Sequence, residues 1–352
     1  MRVETVMLGP DTDQYAGEGV KKARLSDIGE AARRLESLGF DGLTAPEAGH
    51  DPYLPLAIAA EHTEHIKLAT NVAIAFPRSP MVTAQLAWDL QHYSNGRFSV
   101  GLGTQVKPHV ERRYATPWTT GGPGPRMREY VLCMRAMFES FQTGAKPDFR
   151  GDHYQFTLCP PFFNPGPNEH PHVPIQIAAV NPYMGRLAGE MCDGLRLHPI
   201  ATFRFTREVL LPAIAEGAEK AGRSPADVDL IGAPFIIVAK DDAGIEAAKL
   251  DLKQHISFYA STPTYHSVLE FHGWMDAAHE LHRLSREGKW KEMPGVITDE
   301  MIDEWAVIAT ADTFVDQMKE RAEGLFSTIL LDLPDVFWRD DDWLGETVSR
   351  LK

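Results

Sequence analysis

Short, almost wholly apolar runs alternate with amphipathic stretches along this whole chain. The runs predict strands over Val3–Leu8, Gly42–Ala45, Ile66–Ile74, Phe98–Leu102, Ile175–Ala178, Gly194–Leu197, Asp229–Ala239 and Ser327–Leu331. Apolar residues spaced three and four apart predict helices over Ser26–Leu38, Tyr53–His62, Met81–Tyr93, Arg126–Phe141, Pro182–Met191, Arg204–Ala221, Asp242–His255 and Thr313–Gly324. Runs such as GLTA and FSVGL largely lack polar alternation, as strands covered on both faces must. Eight strands, each beside a helix, predict an α/β fold of the (β/α)8 TIM-barrel type. An open doubly wound sheet has the same periodicity and stands as the alternative. A weak internal echo supports repeated units: LESLGFDGL (35–43) and LAGEMCDGL (187–195) each close a helix and enter a strand through Asp-Gly.

Two stretches break the alternation. Val106–Pro125 contains Arg112, Arg113, Trp118 and the run TTGGPGP, which reads as a mobile lid; His255–Trp305 is rich in His, Tyr, Trp and Met. Long connections on one face of such a scaffold carry binding residues or form lids. The expectation is one domain over residues 1–352, with insertions at about 106–125 and 255–305 on the C-terminal face of the barrel. A chain of 352 residues, 43% apolar, is ordinary for one elaborated barrel. Its net charge of −14 and the absence of any basic run argue against nucleic-acid or anionic-membrane partners, which require a basic footprint. Cys133, Cys159 and Cys192 lie far apart without Cys-x-x-Cys spacing, so neither a disulfide framework nor a zinc site is expected. The opening MRVETVMLGPDTD reaches acidic residues too early for a secretory leader, which leads us to expect a cytoplasmic protein.

Strand C-termini in parallel βα units face the ligand, so polar residues there are the first candidates. Thr70 and Asn71 end the third strand run, and Thr104 and Gln105 follow the fourth. Glu47, His50 and Asp51 share the loop after the second; Glu47 and His50 suit proton transfer or substrate orientation, while Asp51 before Pro52 also reads as a helix cap. After the fifth run, Ala178 and Ala179 leave room for close ligand approach. Pro182 then opens a helix whose N-terminus presents N–H groups to an anion. Lys107, His109, Arg112 and Arg113 form a basic cluster suited to a phosphate or an acidic tail, or equally to a solvated salt-bridged face. His198 ends the sixth run. Arg97 lies at the opposite end of its strand and reads as structural. GLGTQ (101–105) lacks the third glycine and the acidic partner of a dinucleotide fingerprint, TTGGPGP lacks the Gly-Lys-Ser/Thr of a P-loop, and HTEH (62–65) is not a zinc motif. His279 and His282 lack a clear third ligand, so no metal is expected.

The wording of these segments is distinctive. A strand ending in T-N-V (70–72), then R-S-P (78–80), then S-N-G-R-F-S-V-G-L-G-T (94–104), resembles the bacterial luciferase-like flavin and deazaflavin oxidoreductases, and most of all their coenzyme F420-dependent branch. HISFYASTPTYHSVLEFHGW (255–274) is similar to one F420-dependent subfamily. The resemblance implies a luciferase-like barrel that moves a hydride between F420 and an organic substrate. The alternative it implies is an FMN-dependent two-component monooxygenase, and a cofactor-binding protein without catalysis is a third reading. It further implies that Glu47 and His50 stand beside the cofactor ring and exchange a proton. Thr70, Asn71 and Val72 would back the ring through a bulge with a non-proline cis peptide at Asn71–Val72. Gly103, Thr104, Gln105, Ala178, Ala179, Val180, Asn181 and His198 would contact the cofactor, its phosphate lying on the Ala179–Pro182 loop. The family has Gly where Asn181 stands, and Asn still tolerates positive φ. Lys107, His109, Arg113, Trp118 and Tyr259 would meet substrate or cofactor tail. A homodimer is the expected assembly.

Overall fold

The computed structural model describes residues 1–7 and 24–352. Eight strands form one hydrogen-bonded series: β1 (Arg2–Val6), β2 (Gly42–Ala45), β3 (Lys67–Thr70), β4 (Phe98–Gly103), β5 (Ile175–Ala179), β6 (Gly194–Leu197), β7 (Asp229–Gly232) and β8 (Thr328–Leu331). Their order is that of the sequence, β8 pairs with β1, and β3 pairs with β4, so the series returns on itself. This is the closed ladder of a (β/α)8 barrel, not an open doubly wound sheet, which would keep two edges. The principal helices are α1 (Ile28–Ser37), α2 (Tyr53–His62), α3 (Pro80–Tyr93), α4 (Pro123–Thr143), α5 (Pro182–Met191), α6 (Leu211–Lys220), α7 (Asp242–Ala260), α8 (Phe314–Ala322) and α9 (Asp341–Leu351). Among the described residues no helix is long and apolar enough to cross a membrane, and no group of three or more His, Cys, Asp or Glu could hold a metal.

Several predicted bounds shift. Leu8, in the first predicted strand, lies outside the described residues. The run Ile66–Ile74 is broken: β3 stops at Thr70, and Ala73–Ile74 forms a separate short strand. Asp229–Ala239 is also two strands, because Phe235–Ala239 leaves the barrel series to pair in parallel with Ala306–Thr310. Pro234 interrupts the run there, since it has no N–H to give a ladder. The 255–305 stretch is mainly helical, with helices over His266–Phe271, Met275–Arg286 and Asp299–Trp305.

The chain divides into two compact units. The first comprises Thr5–Ala178 with Met191–Gly194. Here half-buried carboxylates and one buried arginine tie down the turns that feed the strands. The Glu36 carboxylate on α1 accepts the backbone N–H groups of Glu64, His65 and Ile66 at 2.7–3.2 Å, fixing the entry to β3. Asp193 does the same for β5, accepting Ile175 N–H at 2.7 Å while pairing with Arg135 at 2.9 Å. Arg97 immediately precedes β4, after the Asn95–Gly96 turn, whose φ values of +53° and +76° are those that Asn and Gly adopt most readily. Its guanidinium donates to the carbonyls of Ser94, Ile66, Ala60 and Thr63 and to Thr63 Oγ1, all at 2.7–3.0 Å. The structural reading of Arg97 is what the geometry shows.

The second unit comprises Met1–Glu4, Ala179–Glu190 and Leu195–Lys352. Its helices α5 and α6 meet backbone to backbone. A Cβ built on Gly217 would lie 2.0 Å from the Arg186 carbonyl oxygen, and one on Gly189 2.1 Å from that of Ile214. Neither neighbour is a side chain that can swing away. Gly217→Ala is therefore expected to destabilise the fold by roughly 1–3 kcal/mol, read as a lowered denaturant midpoint at unchanged m-value. A shift too small to resolve would show that the helices separate freely.

Candidate active site at the ends of the second, third and fourth strands

The first unit gathers its charged groups where β2 and β3 end. Glu47 leaves β2 two residues past Ala45, and its side chain is only 5% exposed. Oε2 accepts from Arg78 Nη1 at 2.6 Å and from Ile74 N–H at 2.7 Å, while Oε1 accepts from the Tyr114 hydroxyl at 2.9 Å. Arg78 reaches the other way to Asp51 Oδ2 at 2.9 Å and lies over the Tyr53 ring. Asp51 Oδ1 accepts Tyr53 N–H at the start of α2, so this residue is both helix cap and ion-pair partner. Burial, then the charge and hydrogen bond of Glu47, push the Tyr114 phenol up to about 12, and it stays a donor at any physiological pH.

The chain segment after β3 is bracketed by the same Glu47. Its N–H donates to Val72 O at 3.4 Å, and its carboxylate takes the N–H of Ile74. Just before both contacts the Asn71–Val72 peptide is cis, as the resemblance implies. Register shows the bulge directly: Ala69 pairs with Ser99 and Ala73 with Leu102, four steps on one strand against three on the other. Gly103 accommodates it. A Cβ there would lie 2.6 Å from Val72 Cγ2.

The remaining expected residues of this unit fall into two groups. Asn71, Val72, Gly103 and Glu47 come together at the bulge. Thr70 is fully buried and its hydroxyl is spent on β4, donating to Gly101 O at 2.7 Å and accepting from Gly101 N–H at 2.9 Å. Thr104 is half-buried, and Gln105 turns the chain at φ +56° with Oε1 accepting Val106 N–H. His50 is exposed on the loop after β2. Arg113 donates to the Ala48 carbonyl and covers the Tyr114 ring, which ties the 106–125 stretch to that loop. Lys107 and His109 are exposed, with Lys107 Nζ 3.9 Å from Glu111. Trp118 packs edge-on against Phe76. The TTGGPGP run turns through Gly121 and Gly122 at positive φ into Pro123, the first residue of α4. Arg78 and Tyr114 were missed as site residues. Arg78 stood in the R-S-P wording, but nothing local distinguished its ion-pair role. Tyr114 follows two arginines that drew attention away from it.

Ala178 and Ala179 end β5. In the second unit Ala179 and Val180 are buried, and Asn181 Oδ1 accepts the Met184 N–H at 3.0 Å. Asn181 thus caps α5 with its own side chain and occupies a donor that the sequence left open to an anion. Also in this unit, His198 leaves β6. It packs edge-on to Tyr259 at 4.6 Å between ring centroids and at 31° to Tyr265 at 4.7 Å. Tyr265 is another residue the sequence reading missed.

A family model for luciferase-like monooxygenases matches residues 3–328. The chain belongs to this family. It is 43% identical over 307 residues to an uncharacterized protein of Mycobacterium tuberculosis, covering 87% of this chain and 90% of that one. It is 30% identical over 292 residues to the 5,10-methylenetetrahydromethanopterin reductase of Methanolobus tindarius, covering 81% and 83%. Among solved structures, the coenzyme F420-dependent tetrahydromethanopterin reductase of Methanopyrus kandleri matches with a TM-score of 0.77 at 20% identity over 100% and 99% of the two chains. The oxygenating constituent of 3,6-diketocamphane monooxygenase of Pseudomonas putida, in complex with FMN, matches at 0.64 and 18% identity over 100% and 96%. These likenesses show the barrel fold of the family member.

Proposed function

We propose that this luciferase-like protein is an F420-dependent oxidoreductase that moves a hydride between the deazaflavin and an organic substrate. The observation that carries the cofactor class is the 29% identity, over four-fifths of both chains, with a putative coenzyme F420-dependent oxidoreductase of Mycobacterium tuberculosis. The bulge supports it. Small Gly103 and the side chain of Val72 interlock at strand C-termini, where a flat ring can approach the backbone, and β5 ends in the small residues Ala178 and Ala179. When bound, the deazaflavin supplies two-electron hydride chemistry.

The chain's own residues then have distinct tasks. Asn71 and Val72 back the ring. Glu47 positions them, holding the backbone just after the cis bond at Val72 O and Ile74 N–H while Arg78 and Tyr114 hold its carboxylate. His50 exchanges the proton, since its imidazole is on the exposed loop that also carries Glu47 and Asp51. Thr104, Gln105 and the Ala179–Asn181 segment hold the cofactor tail, with Lys107, His109 and Arg113 toward its acidic end and Trp118 toward substrate. A cytoplasmic homodimer is part of the same proposal.

Side-by-side titration of the purified chain with F420 and FMN, read by cofactor fluorescence, tests this reading. Tight binding of F420 alone is the expected result. Preference for FMN would instead support a two-component monooxygenase, the second reading, which the likeness to the FMN-bound Pseudomonas protein favours. The cap on α5 makes a further prediction. Asn181→Gly releases the Met184 N–H at a stability cost of only a few tenths of a kcal/mol, and is expected to tighten F420 binding severalfold. Unchanged or weaker binding in the titration would mean that the phosphate does not use this helix end.

A further inference from the structure

We propose that His198 presents a neutral Nε2–H to an uncharged oxygen of the organic substrate, and that Tyr259 and Tyr265 are the aromatic walls that select for it. The inference rests on the oxidoreductase reading above and adds to it the chemical class of the substrate.

The argument begins with the tautomer. Ile200 N–H donates to His198 Nδ1 at 3.2 Å, so Nδ1 is an acceptor and the ring proton belongs on Nε2. A backbone amide two residues on cannot turn away, so the ring is held in this form by its own loop. Nε2 makes no hydrogen bond to any described residue, and the residue as a whole is half-buried. A histidine serving only the core would be expected to satisfy both nitrogens. This one has a donor left over, one residue past the C-terminal end of β6, where barrel ligands bind.

Its surroundings decide what the donor is for. Tyr259 meets the imidazole edge-on and Tyr265 lies against it, with Phe235 continuing the aromatic surface 6.4 Å beyond Tyr259. Burial alone pushes the imidazole down to about 4, and no carboxylate offsets it. Burial, reinforced by Tyr259, pushes the Tyr265 phenol up to about 12. At neutral pH His198 and Tyr265 are therefore uncharged. A phosphate or carboxylate would lose its hydration here and gain no cation in return. A ketone or alcohol oxygen on an apolar or aromatic body loses less and finds both a donor and a wall.

Acetophenone and benzoate share a ring and differ in charge, which makes them suitable probes. The full chain, labelled with 15N-histidine, would be titrated with each, and the His198 resonances assigned by their loss in His198→Gln. The proposal expects the Nε2–H tautomer, a saturable shift of Nε2 with acetophenone, and none with benzoate. Tyr265→Leu should weaken acetophenone at least tenfold, and His198→Phe likewise. His198→Gln, which keeps an N–H donor, should stay within a few-fold, with thermal unfolding confirming that each variant folds. An Nδ1–H tautomer, an equal response to benzoate, or no response to acetophenone would overturn the proposal. F420 quenching on the same samples separates the two readings. Failure to bind F420 would remove the oxidoreductase reading and leave the ketone result to stand or fall by itself.

Discussion

Arg97→Met is expected to lower the unfolding free energy by on the order of 3–5 kcal/mol, the largest stability loss we foresee for one substitution in this chain. The residue is 6% exposed, and all five of its guanidinium donors are used. Four accept through carbonyls where α2 ends, β3 begins and the turn before β4 closes. Methionine fills much of the volume but leaves those oxygens facing an apolar stem, each lost bond costing roughly 1–3 kcal/mol before relaxation. Arg97→Lys should recover only part of the loss, because a point charge cannot address five acceptors laid out for a planar fork. Urea unfolding of both variants measures it. A loss below about 1 kcal/mol for Arg97→Met would mean that water replaces the fork, and that the knot is not what joins these elements.

The second large effect concerns Glu47. Replacing it by alanine removes the acceptor of the Ile74 N–H and leaves Arg78 with Asp51 and the Ile74 carbonyl, while Tyr114 loses its acceptor. The bulge segment then has one fewer anchor. Glu47→Ala is expected to weaken F420 binding by about 10- to 100-fold, equivalent to roughly 1.4–2.8 kcal/mol. Glu47→Gln keeps one oxygen for Ile74 but turns an amide donor toward Arg78 or Tyr114, and should fall between alanine and the parent. Arg78→Met should match or exceed the alanine variant, since it leaves a carboxylate that is 5% exposed without its cation. Fluorescence titration with F420 reads all three. If Glu47→Ala bound F420 as the parent does, the carboxylate would be a fold element only, and the ring would have to be positioned by other groups.

Both effects arise from one architectural habit. The ends of the strands are joined by side chains that reach backbone groups of neighbouring turns: Arg97 and Glu36 at the N-terminal end of β3 and β4, Glu47 at the C-terminal end. In a barrel the first set reads as stability and the second as function. The same chemistry, a charged side chain saturated with backbone partners, therefore takes on a different meaning according to which end of the strand it occupies.

Much of this was legible in the chain itself. β2, β6, α2 and α5 have the bounds that apolar patterning predicts, because their period and their Pro and Gly boundaries are local properties. The barrel order and the structural role of Arg97 were readable for the same reason. Family resemblance, carried by T-N-V, R-S-P and G-L-G-T, supplied the bulge and its cis bond, which no composition could have shown. Tertiary structure alone decided the rest. Arg78 and Tyr114 lie 31 and 67 positions from Glu47, and only folding brings the three together. The break at Pro234 sent half of one apolar run to a partner strand about seventy residues later, a pairing choice that periodicity does not encode. Thr70, a polar strand end like Asn71, turned out to be consumed by the neighbouring backbone. Sequence thus determined which segments become strands and helices, since that depends on residues a few positions apart. Which polar side chains remain available for chemistry depended on partners dozens of residues away, and only the tertiary structure could decide it.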